Sequence, residues 1–382
     1  MSLFLLTFLL LYGGMHAYAA AKAHAAFGFG WKVTLAAFPP LGLLLFGPLI
    51  AYALGSRGME AASRAASWVA YTWMGLLFFF TWTNLAVDGV NVLARLLTAL
   101  SGKGSRPLIV YGRPAFLALA ALSVAMGAYS FFEASRIRTE HVRVPTEKLP
   151  AATPRIRVVQ ISDVHLGFLV RHRKAAAIAE AVRRAGPDLF VATGDLVDAR
   201  LDRLAGLAEI FREIRAPLGA YAVTGNHEFY AGIGPALEFT RRAGFTVLRG
   251  EAVMVGNALR VVGVDDPAGR GSGNRPGRNE EELLGNPPSP LFTLLLKHRP
   301  VLSSAARKAD VLQLSGHTHN GQIFPFRFIV RFWYPLLSGM YVPGGGGALY
   351  TSRGTGTWGP PMRFLSPPEV TVIDIERSPG RL

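Results

Sequence analysis

The sequence predicts two parts of different kind: an N-terminal region of four membrane-spanning helices, then an α/β domain. Three observations predict it. Half of the 382 residues are hydrophobic and only 17% are charged, and this apolar excess lies before about residue 135. After a polar interval, short β-branched runs alternate with helical ones, as in a layered α/β domain. Those strand candidates end one after another in Gly, Asp, Asn or His.

Residues 3–21 form an uncharged apolar run of membrane-spanning length. Ala17, Tyr18 and Ala19 could be a signal-peptide cleavage site, but the positively charged start is missing, so a retained helix is expected. Three more spans follow: 33–54, expected to break at Pro39 and Pro40; 67–88; and 114–132, after Pro114. Trp68, Tyr71, Trp73 and Trp82 lie in or at the ends of the third run, as interfacial anchors do. Four spans put both termini on one side. The positive-inside rule finds six basic residues against six. The group Lys103, Arg106 and Arg113 leans toward a cytoplasmic loop, and so toward an extracytoplasmic C-terminal domain of an integral protein of the cell (inner) membrane.

The domains expected are therefore a helical one over 1–135, a polar linker over 136–154 and an α/β one over 155–376. Lys plus Arg against Asp plus Glu is 8 to 3 in residues 1–135 and 32 to 22 in 136–382, summing to the net +15. On a membrane protein this excess points to anionic headgroups and phosphorylated substrates before nucleic acid. The absence of Cys excludes disulfides, Cys-ligated zinc and Fe–S clusters.

In the second half, strands are expected at 156–161, 188–193, 219–224, 259–264, 291–297 and 310–315, with two more in 348–375. Helices are expected at 172–185, 203–215, 234–243 and 300–308. The Gly-, Pro- and Arg-rich stretch 268–290 reads as a mobile surface loop.

Arg155–Gly167 is a β-branched run that ends in Asp163 and His165. At the carboxyl end of a strand in an open α/β sheet, both side chains can reach one ligand. Gly194-Asp195-Leu196-Val197-Asp198, Gly225-Asn226-His227-Glu228, His298 and Gly316-His317-Thr318-His319 end the later strands. Each alone reads as a turn or a surface residue. Together they take five of the nine histidines, which chance does not supply. Carboxylate, imidazole and amide-oxygen ligands suit Mn²⁺, Fe or Zn²⁺ better than Mg²⁺ or Ca²⁺. Their number suits two ions sharing a carboxylate, which can clamp a phosphoryl group and supply a metal-bound hydroxide. The residues thus point to a dinuclear hydrolase of a phosphate ester.

This order of blocks resembles the calcineurin-like metallophosphoesterase superfamily over about residues 155–375. The resemblance implies a four-layer αββα sandwich of two sheets flanked by helices. It implies one metal held by Asp163, His165, Asp195 and His319, and a second by Asp195, Asn226, His298 and His317, with Asp195 bridging. His227 matches the family's catalytic histidine, which orients or protonates the leaving oxygen, while Asp198 and Glu228 match positions that orient ligands. Mn²⁺ is the expected metal, with Fe or Zn²⁺ as alternatives. The segments 315–323, 344–347 and 351–361 are similar to those of the membrane-associated, transmembrane branch, some of whose members act on lipid-linked phosphates. Asn320 stands where many relatives have Gly. Phe324, Phe326, Arg327, Arg331 and Trp333 belong to an aromatic-rich stretch over 324–334 that suits a headgroup layer; a core segment is its competing reading. The expected partners are the lipid bilayer and a phosphorylated, lipid-linked substrate, with no nucleic acid. A soluble phosphodiester or nucleotide, with the helices as a tether, is the alternative; a nuclease and a non-catalytic scaffold rank behind it.

Overall fold

The computed structural model describes residues 3–101, 110, 112–198, 206–269, 277–285 and 289–378. The chain divides into two compact units: Met1–Phe132 with Gly359–Met362, and Glu133–Trp358 with Arg363–Leu382.

The first unit is helical: α1 (Leu3–Phe27), α2 (Trp31–Leu45), α3 (Gly47–Ser56), α4 (Glu60–Leu100) and α5 (Gly112–Ser135). Small residues set the packing. Gly47, Ala51 and Gly55 form a buried stripe on α3, and Ser63, Ser67 and Ala70 are buried on α4; the Ser63 hydroxyl donates to the Ala51 carbonyl at 2.7 Å. Such stripes let helices approach where burial from water supplies no drive. Among the described residues two helices, α4 and α5, are long and apolar enough to cross a membrane, or three if α2 and α3 form one bent span. That is fewer than the four spans expected: the 3–21 run is helical within α1 but is not among them. The expected break at Pro39 and Pro40 is also corrected. Both lie inside α2, and the 51° bend falls at Phe46. Pro48 explains it, because its ring clashes with the carbonyl four residues back and it has no N–H to donate. Lys103 and Arg106, on which the lean toward one membrane side rested, lie outside the described residues.

The second unit is two six-stranded sheets. The first has the order β1 (Arg138–Thr146), β12 (Glu369–Arg377), β2 (Arg155–Ile161), β3 (Leu189–Thr193), β4 (Ala220–Val223), β5 (Thr246–Val247). The second has β10 (Gly339–Tyr341), β11 (Ala348–Thr351), β9 (Val311–Ser315), β8 (Phe292–Leu296), β7 (Leu259–Gly263), β6 (Glu251–Val255). β2–β5 run parallel, as do β7, β8, β9 and β11. Alternation along each strand sends one residue to each face. Ile156, Val158 and Val191 meet Val261, Leu294 and Leu312 between the sheets. Val159, Phe190 and Ala192 face outward into a core with α6 (His172–Ala185), α7 (Leu207–Arg212) and α9 (Ile233–Arg242). On the other side Val262, Leu295 and Leu349 pack with α10 (Glu280–Leu284) and α11 (Ser304–Lys308). Strands buried on both faces must be apolar throughout, which is why they were readable. Among the buried polar exceptions, Gln160 donates to Thr193 Oγ1 at 2.8 Å and to the Ser315 carbonyl at 3.0 Å, tying the sheets together beneath the site.

The expected strands all form; the differences lie at the edges. The stretch read as a linker contains β1, paired along its length with β12. Every second residue of β1 is half-buried, and Val142 and Val144 reach the core between the sheets. The 268–290 stretch is not all loop, because α10 buries Leu283 and Leu284; residues 270–276 and 286–288 lie outside the described residues. The short strands β5, β6 and β10 and the helices α8 (Asn226–Ala231), α10 and α12 (Arg327–Trp333) were not anticipated.

Candidate metal centre

Five strand ends on one edge of the sandwich supply the site: β2 leads to Asp163 and His165, β3 to Asp195, β4 to Asn226 and His227, β8 to His298, and β9 to His317 and His319. Each loop turns at once. Asp163, His165, Asp195, His317 and His319 all have positive φ, between 48° and 72°, a region most L-residues avoid and Asn, Asp and His tolerate best. Two glycines let the loops close in. A Cβ on Gly225 would overlap the Asp195 carboxylate, and one on Gly316 would overlap Ser162 and the Asp163 carboxylate. The adjoining amides use that approach: His227 N–H donates to Asp195 Oδ1 at 2.9 Å, and His317 N–H donates to both Asp163 oxygens at 2.9 and 3.0 Å.

The ligating atoms form two separate groups, each within 4.8 Å, Asp163, His165 and His319, and Asp195, His298 and His317, and a third, His165, Asp195 and His227, overlaps both through His165 and Asp195. In the first, His319 Nε2 lies 3.1 Å from His165 Nε2 and 3.4 Å from Asp163 Oδ1. In the second, His298 Nε2 lies 3.0 Å from His317 Nδ1 and 3.2 Å from Asp195 Oδ2. Asp195 Oδ2 also lies 3.8 Å from His165 Nε2, so one carboxylate faces both groups. Asn226, between two residues that touch Asp195, has a buried side-chain oxygen with no hydrogen-bond donor. Unpaired buried acceptors are costly. Two buried carboxylates, four imidazoles and this open amide oxygen fit a pair of divalent cations.

The electrostatics agree with that use. Burial lowers His165 to about 4 and His317 to about 3, so both are neutral and able to ligate at neutral pH. Burial and the Arg363 guanidinium hold His319 low as well. Burial would lower His298, but the Asp195 charge overrides it and pushes His298 up to about 10; this proton must leave before His298 can ligate. Burial acts to raise Asp195, and the charged His298 holds it well below the usual carboxylate range.

The orienting residues surround this set. The Glu228 carboxylate accepts four backbone N–H groups, from Asp195, Gly225, Leu196 and Val197, at 2.7–3.2 Å. It pins the Asp195 loop to the start of α8. Asp198 Oδ1 accepts from His227 Nδ1 at 2.5 Å. Burial acts to lower His227, but this bond and the nearby carboxylates push it up to about 9. Sequence reasoning missed two positioning residues. The Tyr334 hydroxyl lies 3.0 Å from His317 Nε2 and 3.3 Å from Arg299, which pairs with Asp266. Arg363 is fully buried, donates to the carbonyls of Gly356, Arg353 and His319 at 2.7–3.1 Å, and has Nη2 3.1 Å from His319 Nδ1. Its only signal was an arginine inside an apolar, proline-flanked run. Phe324, Phe326, Arg327, Arg331 and Trp333 stand apart from the metal groups. Phe326 and Trp333 are exposed, Phe324 is half-buried against Phe328, and no residue of α12 is buried. A core role for the segment is thereby excluded.

Buried carboxylates and imidazoles at the strand ends of an αββα sandwich define a metal-dependent phosphoester hydrolase with a dimetal site. Residues 156–321 match the calcineurin-like phosphoesterase family. An uncharacterized metallophosphoesterase of Aquifex aeolicus is 42% identical over 256 residues, 67% of this chain and 98% of the relative. A transmembrane protein with metallophosphoesterase domain from Danio rerio is 31% identical over 319 residues, 79% of this chain and 71% of the relative. The chain belongs to the calcineurin-like phosphoesterase family.

The brace at Glu228 gives a test. Glu228→Gln sets an amide donor against backbone donors, and should destabilise the second unit by about 2–4 kcal/mol, read from denaturant unfolding of the metal-free protein. A change under about 0.5 kcal/mol would show that the four bonds do not carry this part of the fold.

Proposed function

We propose that this enzyme hydrolyses a phosphoester or pyrophosphate bond of a lipid-linked substrate, with Mn²⁺ as its metal. Asp163, His165, Asp195 and His319 would hold one ion, and Asp195, Asn226, His298 and His317 the other. When bound, the pair supplies charge to neutralise the phosphoryl oxygens and acidifies a water for attack at neutral pH. The chain's own part is positional. Glu228 and Arg363 fix the ligand loops, and Tyr334 orients His317. Because the Asp198 carboxylate can only accept, it holds the proton of His227 at Nδ1; the second proton of the charged ring then sits at Nε2, available to the leaving oxygen.

The observation that carries the lipid reading is α12. Phe328, Phe332 and Trp333 are 57%, 85% and 71% exposed, Arg331 is exposed beside them, and Tyr334 directly after them touches His317. An exposed aromatic helix with arginines is costly in water and stable in a headgroup layer. The apolar helices α4 and α5 supply a means of membrane attachment.

Two outcomes are expected. Phe332→Ser with Trp333→Ser should lower turnover of a lipid-linked phosphoester in vesicles by about 10-fold or more, and leave a water-soluble phosphodiester unchanged; equal effects on both would remove the lipid reading in favour of a soluble substrate. The raised His227 is protonated below about 9, so activity that needs its proton must fall as pH rises. Asp198→Asn should move the alkaline limb of kcat to lower pH by about one unit, and His227→Ala should cost about 10²–10⁴ in kcat. An unmoved limb would take the acid role from His227.

A further inference from the structure

The His227 ring is walled by other rings. Tyr230 and Trp358 meet it edge-on at centroid distances of 5.4 and 5.6 Å, and His165 at 4.7 Å. His165 is buried, whereas Tyr230 is 70% and Trp358 47% exposed. Single exposed aromatics are ordinary, but these two share one neighbour, and the backbone of one is braced. Tyr230 lies three residues after His227 on α8, hence on the same face. Trp358 is braced by the Gln322 side chain: Oε1 accepts from the Trp358 N–H at 2.9 Å and Nε2 donates to the Trp358 carbonyl at 2.8 Å. Gln322 has φ 55° and follows His319 by three residues, so the brace ties Trp358 to the turn that bears a metal ligand. Both bonds are to the Trp358 backbone, and a ring carried on a fixed backbone has less freedom to lose when it meets a ligand.

We infer that Tyr230 and Trp358 form a leaving-group subsite beside His227, which takes a substituent with a flat or apolar ring face, a sugar or an aromatic, in preference to a short alkyl group. The inference rests on the reading of His227 as the group facing the leaving oxygen. A substituent on that oxygen passes His227 as it departs, and beside the partly exposed Asp198 carboxylate the surfaces next to His227 that stay open to solvent include these two rings. Quadrupole and dispersion contacts with such faces are directional and select shape without a charged partner. The subsite deepens the functional reading by naming what is attached to the cleaved bond, whichever side of the molecule carries the lipid.

Calorimetric binding of phenylphosphonate and methylphosphonate to the Mn²⁺-loaded full-length protein in detergent tests it. The phenyl compound should bind about 3- to 10-fold tighter, the range that one aromatic contact supplies. That advantage should fall to within about 2-fold in Trp358→Ala, survive in Trp358→Phe, and be reduced in Gln322→Ala, which keeps the ring but loosens it. Methylphosphonate affinity should stay the same in all three, which also shows that they fold. Equal binding of the two compounds by the unaltered protein, or an advantage that persists in Trp358→Ala, overturns the subsite alone. Failure of both phosphonates to bind overturns the metal-centre reading and this inference with it.

Discussion

The centre depends on one buried charge. The Asp195 carboxylate lies where the two sheets converge, 2% exposed, and its oxygens face the His227 amide, His298 Nε2 and His165 Nε2. An isolated carboxylate at such depth would take up a proton rather than stay charged. Here the residues around it keep it ionised, with the charge of His298 foremost among them. Two cations would do the same more strongly, and a carboxylate that faces both ligand groups is what allows them to be held close together.

Much of the remaining architecture keeps that charge and its neighbours in place. Five of the ligating residues hold left-handed backbone angles, at a cost on the order of 1–3 kcal/mol each. The sandwich core, the four amides on Glu228 and the carbonyls around Arg363 oppose relaxation of these turns. The loops are therefore irregular but not loose: Asp163 is fully buried and Gly316 admits no side chain. Rigidity of this kind suits ligands that must be in position before metal or substrate arrives.

The central strands and the ligand series were legible because both leave strong local marks. β2, β3, β8 and β9 are mostly apolar runs, and each ends within a few residues at Gly, Asp or His. What was missed is what local pattern does not encode. β1 reads as a linker because its valines are only half-buried and its partner, β12, lies more than 200 residues later. β5 and β10 are too short for periodicity to register. Tyr334, Gln322 and Arg363 act by reaching segments distant in sequence, so nothing beside them marks their role; only the oddity of a charge in Pro-Pro-Met-Arg-Phe hinted at Arg363. In the first unit, helical runs were readable from hydropathy, but the site of the bend was not. Three prolines lie between residues 39 and 48, and Pro48 falls at the break.

Metal stoichiometry tests the central claim most directly. Elemental analysis of the purified protein after dialysis against Mn²⁺ should find about two equivalents per chain, Asn226→Ala should retain about one, and Asp195→Ala should retain less than one. A protein that binds no divalent transition metal, or an Asp195→Ala variant that still holds two, would contradict the account.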